Sequence, residues 1–508
     1  MYPLFMRKWI AYPLVFFLSA FVFALLQPWG MFVDPDAFYH AKITTLMMAS
    51  GALHAFPWLD LTTLGTHFAD HHYLFHVGLM PFLRFFGTLP GIQIAAVTFG
   101  ALFMVALYAV LNALKIERPW FWLFAALTQT SLLFRLSLGK ASPWALIFFV
   151  IGLAAVALRK PILGAIIGAL FALSHGGWEI LLGAQGLYVA GELLFLRSVE
   201  RRSWKESFLC SGVFAFFATI IGCVVGIVLH PNFPDNIAFL WVQIVKIGVL
   251  TPMGRVRMGD EWLSTDIPSM VASFGFLLVA SLGALYGMLF ARKPDLDRPR
   301  AKQIMGWAFV FAALFVLTLK SRRMVEYLVP VAILWVSSLW TLVDVERLWQ
   351  ELRVQKKLLG VFAVLIFGMM IRAYHVTYTG LRADADRYDA DAKLAQTIAE
   401  HTEPGERVFH TRFDEFPELF YHLDRQKYVV GLDPTFLLEK DPARSDALQK
   451  MTDERDVEKI TQTVREQFDA RLILVSSWDP KEFLEALATS TQLNLLYKDE
   501  RNVLYEMR

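Results

Sequence analysis

Long apolar runs separated by short polar loops fill the chain as far as about residue 375. Because a membrane-crossing helix needs about 20 apolar residues, these runs predict a polytopic α-helical membrane protein with about eleven to thirteen transmembrane helices. Two shorter stretches, 77–89 and 237–250, are further spans, re-entrant segments or interfacial segments. The longer runs lie near 10–29, 91–114, 119–134, 142–158, 161–174, 178–196, 206–229, 268–291, 303–319, 325–343 and 357–374.

Lysine and arginine concentrate in alternate loops, as they do on the cytoplasmic side of membrane proteins. The alternation predicts a cytoplasmic amino terminus and an extracytoplasmic carboxyl-terminal region. The first run lacks a small-residue cleavage site, so we interpret it as a retained span and not as a signal peptide. The basic loops are 7–8, 115–118, 159–160, 197–205, 292–302 and 347–357.

Charged residues become dense beyond Arg382, and short β-type runs alternate there with helical patterns. This alternation predicts a small soluble α/β domain. We therefore divide the chain into a transmembrane domain at 1–378, with outer loops at 30–90 and 230–267, and a soluble extracytoplasmic domain at 379–508. The predicted strands are 407–411, 427–432, 471–476, 492–498 and 502–506, and the predicted helices are 384–401, 443–468 and 480–490.

Two carboxylates follow the first apolar run, Asp34 and Asp36, with Pro35 between them. Ionisable residues beside membrane spans are costly and often functional. An acidic pair of this spacing can bind a divalent cation such as Mg²⁺ or Mn²⁺, which prefers oxygen ligands. The alternative is an Asx-Pro turn that caps a helix beginning near Ala37.

A histidine-rich segment at 67–76 continues the same loop and includes Asp70. His72 and His76 are four residues apart and would share one face of a helix. Substrate hydrogen bonding or interfacial packing is favoured over a zinc site, because the segment lacks cysteine and a His-Glu-x-x-His pattern.

Two further polar segments interrupt the apolar pattern on the predicted outer side. Residues 251–262 combine glycines with two arginines and two acids, a pattern typical of a mobile lid or of a solvated connector. Arg322 and Arg323 lie between two apolar runs. Paired arginines suit a lipid phosphate, and snorkelling to headgroups is the alternative.

This layout resembles the GT-C membrane glycosyltransferases, and more narrowly the catalytic subunit family of oligosaccharyltransferases. The resemblance rests on Asp34-Pro35-Asp36 followed by Ala-Phe-Tyr-His in the first outer loop. It rests also on Arg135 and Gly139 after the third span, on Gly176-Gly177-Trp178, and on Arg323 seven positions before Pro330. The family's second acidic motif has no carboxylate here, and its tryptophan-rich signature is reduced to Asp414 in Arg412–Phe416.

The resemblance implies roles for the residues that match. Asp36 and Asp34 would be catalytic, Glu261 would complete the acidic site, and a divalent cation, Mn²⁺ or Mg²⁺, would be bound by Asp36 and Glu261 with Asp70 as a substitute ligand. The other implied roles are donor-phosphate binding by Arg323 and Arg322, and acceptor binding by His40, Trp178 and Asp414.

The expected function is the transfer of a sugar or oligosaccharide from a polyprenyl-(pyro)phosphate donor to a protein or glycan acceptor outside a bacterial or archaeal cell membrane. The alternatives are a transporter or flippase of a lipid-linked substrate, and a catalytically degenerate scaffold for envelope assembly. Ionisable residues gather at the outer boundary and not at mid-membrane, which favours the enzyme over the transporter. The net charge of +2 says nothing about a nucleic-acid partner, but the sequence has no strongly basic patch, so none is expected.

Overall fold

A computed structural model describes residues 2–250, 256, 259–293, 298–353, 356–387 and 392–508. The predicted lid around Arg255 and Arg257, and residues 388–391 of the predicted helix 384–401, lie outside the described residues. The chain forms two compact units. The first comprises Met1–Gly30, Pro90–Ile227 and Asp260–Asp386, and the second comprises Met31–Leu89, Val228–Gly259 and Arg387–Arg508.

The helices and strands are numbered in chain order. The first helices are α1 Tyr2–Leu26, α2 Pro35–Ser50, α3 Tyr73–Phe86, α4 Thr88–Ala113, α5 Pro119–Leu127, α6 Thr130–Ser137, α7 Ser142–Ala157, α8 Pro161–Ala172, α9 Trp178–Ser198, α10 Trp204–Leu209, α11 Val213–Leu229 and α12 Asp235–Leu240. They are followed by α13 Ile267–Phe290, α14 Arg298–Lys320, α15 Val325–Trp340, α16 Val345–Arg353, α17 Lys356–Arg387, α18 Ala392–Glu400, α19 Phe416–His422, α20 Thr435–Lys440, α21 Pro442–Met451, α22 Val457–Phe468 and α23 Lys481–Ala488. The strands are β1 Arg407–His410, β2 Lys427–Tyr428, β3 Ala470–Ser476, β4 Leu493–Lys498 and β5 Asn502–Met507.

The predicted class, a polytopic helical membrane protein with a carboxyl-terminal α/β region, is confirmed. Within the described residues, 6 helices are long and apolar enough to cross a membrane, or 7 if the bent pair α6–α7 is one span. This count is lower than the predicted eleven to thirteen. The six are Trp9–Leu26, Thr88–Ala113, Trp178–Ser198, Ser273–Phe290, Arg298–Lys320 and Arg322–Trp340.

Several predicted spans differ because the apolar runs do not form straight helices. The run at 119–134 stops at the end of α5 and restarts in α6, and the side chain of Gln129 donates a hydrogen bond to Ala125 O at 2.9 Å. Helices α6 and α7 meet at an angle of 119°. Helix α8 has 12 residues, which at about 1.5 Å per residue reach only part of the way across the hydrocarbon core.

Helices α8 and α11 of the first unit pack at very close range through small residues. A Cβ added to Gly222 would lie 2.0 Å from Ala165 O, and one added to Gly168 would lie 2.3 Å from Thr219 O. Close approach through small residues replaces the hydrophobic driving force that helices lack in lipid. This contact fixes α8, and α8 leads directly into the turn at Gly176-Gly177.

The second unit contains one mixed sheet in the order β2-β1-β3-β5-β4. Strands β2, β1 and β3 are parallel, whereas β5 is antiparallel to both β3 and β4. Phe409, Ile473 and Val475 are buried on the sheet against Val464 and Phe468 of α22. A strand is present at each of the five predicted positions, although β2 covers only Lys427–Tyr428 of the predicted 427–432.

The segments predicted as outer loops of the membrane domain belong to this second unit. Helix α2, from the first loop, packs on α19, and the rings of Phe38 and Tyr421 are 5.5 Å apart. Trp58 donates a hydrogen bond to Asp424 O at 2.6 Å, and Lys42 pairs with the Asp424 carboxylate at 2.9 Å. The loops and the α/β domain thus share one core, although their predicted assignment was to different domains.

Asp60 connects the first loop to the sheet through two cations. Its carboxylate accepts hydrogen bonds from Arg407 at 3.0 Å and from Lys427 at 2.9 Å, both on neighbouring parallel strands. Burial raises the pKa of Asp60, but the two cations outweigh burial and lower that pKa from its ordinary value.

The lowered pKa of Asp60 predicts a pH-dependent contribution to stability. A carboxyl with a depressed folded-state pKa stabilises the fold fully above its unfolded pKa of about 3.9 and loses this effect as the pH falls through the folded value. At pH 7 we expect Asp60→Asn to lower the melting temperature by about 2 °C, and we expect the difference to shrink as the pH falls below about 3.9. Thermal unfolding of the purified protein measures this. The exposed Asp446→Asn is the control, and a difference that persists unchanged at low pH would contradict the assignment.

Candidate functional site

Four charged residues of the first unit form one ion-pair cluster, which we call the arginine–glutamate cluster. Both terminal nitrogens of Arg135 donate to Glu261 Oε2 at 3.1 Å, and Arg323 Nη1 donates to Glu261 Oε1 at 3.1 Å. The Nε of Arg135 lies 3.5 Å from Glu326 Oε2. Two guanidinium groups therefore converge on a single carboxylate, and a second carboxylate pairs with one of them.

The cluster draws its residues from elements far apart in the sequence. Arg135 is in the last turn of α6, Glu261 is in a 3₁₀ turn at Asp260–Trp262, and Arg323 is in a 3₁₀ turn at Arg322–Met324. The two 3₁₀ turns are held together because Ser321 Oγ donates to Glu261 O at 3.0 Å and Arg322 N donates to Leu263 O at 3.0 Å. The Arg323 guanidinium also lies over the ring of Trp262.

Positive charge dominates the surroundings of Glu261. Burial raises the pKa of its carboxyl, but Arg323, Arg135 and Lys140 outweigh burial and hold that pKa well below its ordinary value. Glu261 is consequently an anion at any physiological pH. Its site is one in which the protein already stabilises a negative charge between two arginines.

The two predicted donor-phosphate residues differ in position. Arg323 belongs to the cluster, whereas Arg322 is exposed and its Nε donates to Ser264 O at 3.2 Å. An arginine can bind phosphate through paired hydrogen bonds when its planar fork is held in place. The geometry of the cluster meets this requirement for Arg323 and for Arg135.

The Gly176-Gly177-Trp178 turn lies against helix α15. A Cβ added to Gly177 would be 2.5 Å from the hydroxyl oxygen of Tyr327, so the close approach requires glycine. Trp178 begins α9, and its indole Nε1 has no hydrogen-bond partner among the described residues. The next residue, Glu179, interacts electrostatically with Arg323.

The acidic pair of the first loop lies at the start of α2 in the second unit. Asp34 is the N-cap, and its Oδ1 accepts a hydrogen bond from Asp36 N at 2.8 Å. This is the capping alternative that the sequence analysis left open, and it applies to Asp34. Asp36 is a half-buried residue in the first turn of α2, where the helix dipole stabilises a carboxylate.

A buried chain of three side chains, Asp70, His76 and His40, extends along α2 and α3. Asp70 Oδ2 lies 2.7 Å from His76 Nδ1, and His76 Nε2 lies 2.8 Å from His40 Nδ1. Burial raises the pKa of Asp70, but His76, His71 and His230 outweigh it and lower that pKa. His40 is one helical turn after Asp36, so the chain ends on the face of α2 that carries this predicted catalytic residue.

Asp414, the remaining predicted acceptor residue, is paired within its own turn. Its carboxylate accepts from Arg412 Nε at 3.0 Å and from Arg412 Nη2 at 2.8 Å, and the Arg412 guanidinium lies over the ring of Trp478. Its acceptor-binding role stays a prediction.

Two of the residues predicted to bind a divalent cation, Glu261 and Asp70, use their carboxylates in other contacts. Among the described residues, no group of three His, Cys, Asp or Glu side chains could hold a metal ion. Both Glu261 oxygens accept from guanidinium groups, and Asp70 accepts from His76. The cation stays a prediction, and no step of the reaction is assigned to it below.

Three members of these clusters were not predicted as site residues, namely Arg135, Glu326 and His76. Arg135 is the only charged residue in the apolar run 119–138, and charge inside an apolar run is the signal that could have identified it. Glu326 follows Arg323 by three residues and is buried in α15.

The described residues thus define a polytopic helical membrane protein with a charged cluster in each compact unit. Its fold is similar to that of ArnT from Cupriavidus metallidurans. The crystal structure of ArnT in the apo state aligns with a TM-score of 0.52 and 14% identity over 98% of each chain. The structure bound to undecaprenyl phosphate aligns with a TM-score of 0.54 and 15% identity, again over 98% of each chain. No protein-family model and no curated protein matches the sequence.

The buried Asp70–His76 pair predicts strong coupling between its members. Removing either side chain leaves the other buried without its partner, so part of the loss in each single variant is the same loss counted twice. We expect Asp70→Ala and His76→Ala together to destabilise the protein by about 1 kcal/mol less than the sum of the single variants. A double-mutant cycle on the unfolding of the purified protein measures this. The half-exposed Lys246–Glu439 pair, at 2.9 Å, is the control with weaker expected coupling. Additive effects at Asp70 and His76 would contradict the prediction.

Proposed function

We propose that this protein is a GT-C type membrane glycosyltransferase. It transfers a sugar or oligosaccharide from a polyprenyl-(pyro)phosphate donor to an acceptor at the extracytoplasmic face of a bacterial or archaeal cell membrane. The observation that carries the proposal is the convergence of Arg135 and Arg323 on one anionic group, in a chain whose fold is similar to that of ArnT.

Two further observations support the choice of donor. One of the similar structures is of ArnT bound to undecaprenyl phosphate, a lipid that combines an apolar tail with a phosphate. Such a donor needs both a membrane-embedded apolar surface and a fixed cationic group. Helices α4, α9, α14 and α15 supply long apolar segments, and Arg323 supplies a cation at the start of one of them.

In the proposed reaction, a hydroxyl or amide group of the acceptor attacks the anomeric carbon of the donor sugar. The new bond forms from that nucleophile to the anomeric carbon, and the bond from this carbon to the phosphate oxygen breaks. Asp36 accepts the proton of the nucleophile as general base. The polyprenyl (pyro)phosphate leaves with the electron pair, and Arg323 stabilises the charge that develops on it.

The sugar and the acceptor are not identified by these residues. A protein or glycan acceptor remains the proposal, with His40, Trp178 and Asp414 as the residues to test for acceptor binding. The transporter alternative has no supporting observation in the two charged clusters. The arginine–glutamate cluster can bind an anion, but a binding site by itself is not a path across the membrane. The alternative of a catalytically degenerate scaffold is tested by comparing the glycans of cells with and without the protein, as described next.

Removing the proposed base predicts loss of transfer without loss of the protein. General bases typically contribute about 10²–10⁴-fold to rate, so we expect Asp36→Ala to reduce transfer by at least about 100-fold. Mass spectrometry of cell-envelope glycans, comparing cells that carry the wild type, the variant or neither, measures this. Asp235→Asn, an exposed residue at the start of α12, is the control. Full transfer by Asp36→Ala would exclude Asp36 as the base, and identical glycans with and without the protein would favour the scaffold.

Removing the proposed phosphate ligand predicts a defect in donor binding. A charge-assisted hydrogen bond to phosphate contributes about 1.5–3 kcal/mol, so we expect Arg323→Ala to weaken the binding of undecaprenyl phosphate by about tenfold or more. Arg322→Ala, outside the cluster, should have the smaller effect. Native mass spectrometry of the protein in micelles measures both. Equal binding by the wild type and Arg323→Ala would remove Arg323 from the donor site.

A further inference from the structure

We propose that Glu261 occupies the donor-phosphate site in the free protein, and that the phosphate takes its place between Arg135 and Arg323 when the donor binds. Arg135 is then a second phosphate-binding residue, and Glu261 is a competing internal anion and not a cation ligand. This inference rests on the proposed function and concerns the same site.

The hydrogen bonds around Glu261 are those that a phosphate group needs. Arg135 donates two N–H groups that converge on one carboxylate oxygen of Glu261, each at 3.1 Å. Arg323 donates a third N–H group to the other carboxylate oxygen at 3.1 Å. Two oxygens of a phosphate can accept these three donors in the same way. Guanidinium groups are matched to carboxylate and to phosphate by the same planar geometry.

Compensation of the arginine charges favours an exchange, in which the phosphate replaces the Glu261 carboxylate, over addition of the phosphate beside that carboxylate. The Arg135 side chain is only 12% exposed, and a buried guanidinium cannot lose its proton. Without Glu261 or a phosphate, Glu326 would be the one carboxylate left in the cluster for two guanidinium groups, which leaves one positive charge uncompensated. With Glu261 in the free protein and phosphate in the bound protein, both arginines have an anionic partner in each state.

The two carboxylates of the cluster differ in their freedom to leave. Glu326 is 2% exposed and belongs to helix α15, so its position is fixed by the packing of that helix. Glu261 is 31% exposed and belongs to a three-residue 3₁₀ turn. Glu261 can therefore turn away by rotation of its side chain, which leaves the hydrogen bonds to Glu261 O and Leu263 O intact, while Glu326 continues to hold Arg135 through its Nε.

The exchange has a measurable consequence for affinity. A ligand that must displace an internal competitor binds only the fraction of molecules in which the site is open, and its apparent affinity falls by that fraction. Removing the negative charge at position 261 should raise this fraction. We expect Glu261→Gln to bind undecaprenyl phosphate about tenfold more tightly than the wild type, although it loses a carboxylate.

The experiment measures dissociation constants for the full-length protein in micelles by native mass spectrometry. The ligands are undecaprenyl phosphate, undecaprenol, which has the same tail without phosphate, and inorganic phosphate. The variants are Glu261→Gln, Arg135→Gln and the double variant, with the exposed Glu117→Gln as a matched carboxylate-to-amide control. If Glu261→Gln does not yield folded protein, the shorter Glu261→Asp should give a smaller gain in the same direction.

The expected result is tighter binding of undecaprenyl phosphate to Glu261→Gln, no change for undecaprenol or for Glu117→Gln, and loss of the gain in the double variant. Unchanged or weaker binding of undecaprenyl phosphate by Glu261→Gln would overturn the exchange. A gain seen for inorganic phosphate and not for the lipid would overturn the assignment of the ligand as a lipid phosphate.

The failures of the two proposals are distinguishable. If the wild type and Arg323→Ala bind undecaprenyl phosphate no better than undecaprenol, the proposed function fails at its donor. If phosphate-dependent binding is present and Arg323→Ala abolishes it, while Glu261→Gln gains nothing, only the exchange fails.

Discussion

A buried arginine must always have an anionic partner, and in the first unit that requirement applies to Arg135. Its guanidinium stays charged in any environment, so it must be compensated where little water reaches it. Glu326 does this from helix α15, and Glu261 does it from a 3₁₀ turn. That turn is held by the Arg135 guanidinium, by the Ser321 hydroxyl and by the Arg322 backbone N–H. The proposed donor binding depends on the same requirement, because the phosphate takes the place of the carboxylate that it displaces.

In the second unit too, carboxylates that are buried or partly buried have partners, which are histidine or basic side chains. Asp70 is buried, and its carboxylate is hydrogen-bonded to His76, which in turn contacts His40. Asp60 joins the first loop to the sheet through Arg407 and Lys427. These pairs explain why the segments predicted as loops of a membrane domain form one compact unit with the α/β domain. Long loops rich in ionisable residues here are structural parts of a folded core.

How much the sequence could predict depends on whether the signal is local. The strand at 471–476 was predicted at almost its observed bounds, because a short apolar β-branched run bounded by polar residues is a local pattern. The 6 or 7 long apolar helices among the described residues are fewer than the predicted spans, because hydropathy does not detect helix breaks such as the one at Gln129. The contact between Arg135 and Glu261 joins residues 126 positions apart, and no local pattern carries it. The capping role of Asp34 and the position of Arg323 at the start of an apolar helix could both be predicted from the local sequence pattern.

In the proposed exchange, a lipid phosphate and the Glu261 carboxylate occupy the same site in turn. An experimental structure of the full-length protein in lipid nanodiscs, determined with and without undecaprenyl phosphate, tests this. We expect phosphate density within hydrogen-bond distance of Arg135 and Arg323 in the bound state, with Glu261 withdrawn from both. Phosphate density elsewhere, with Glu261 still bridging the two arginines, would contradict it.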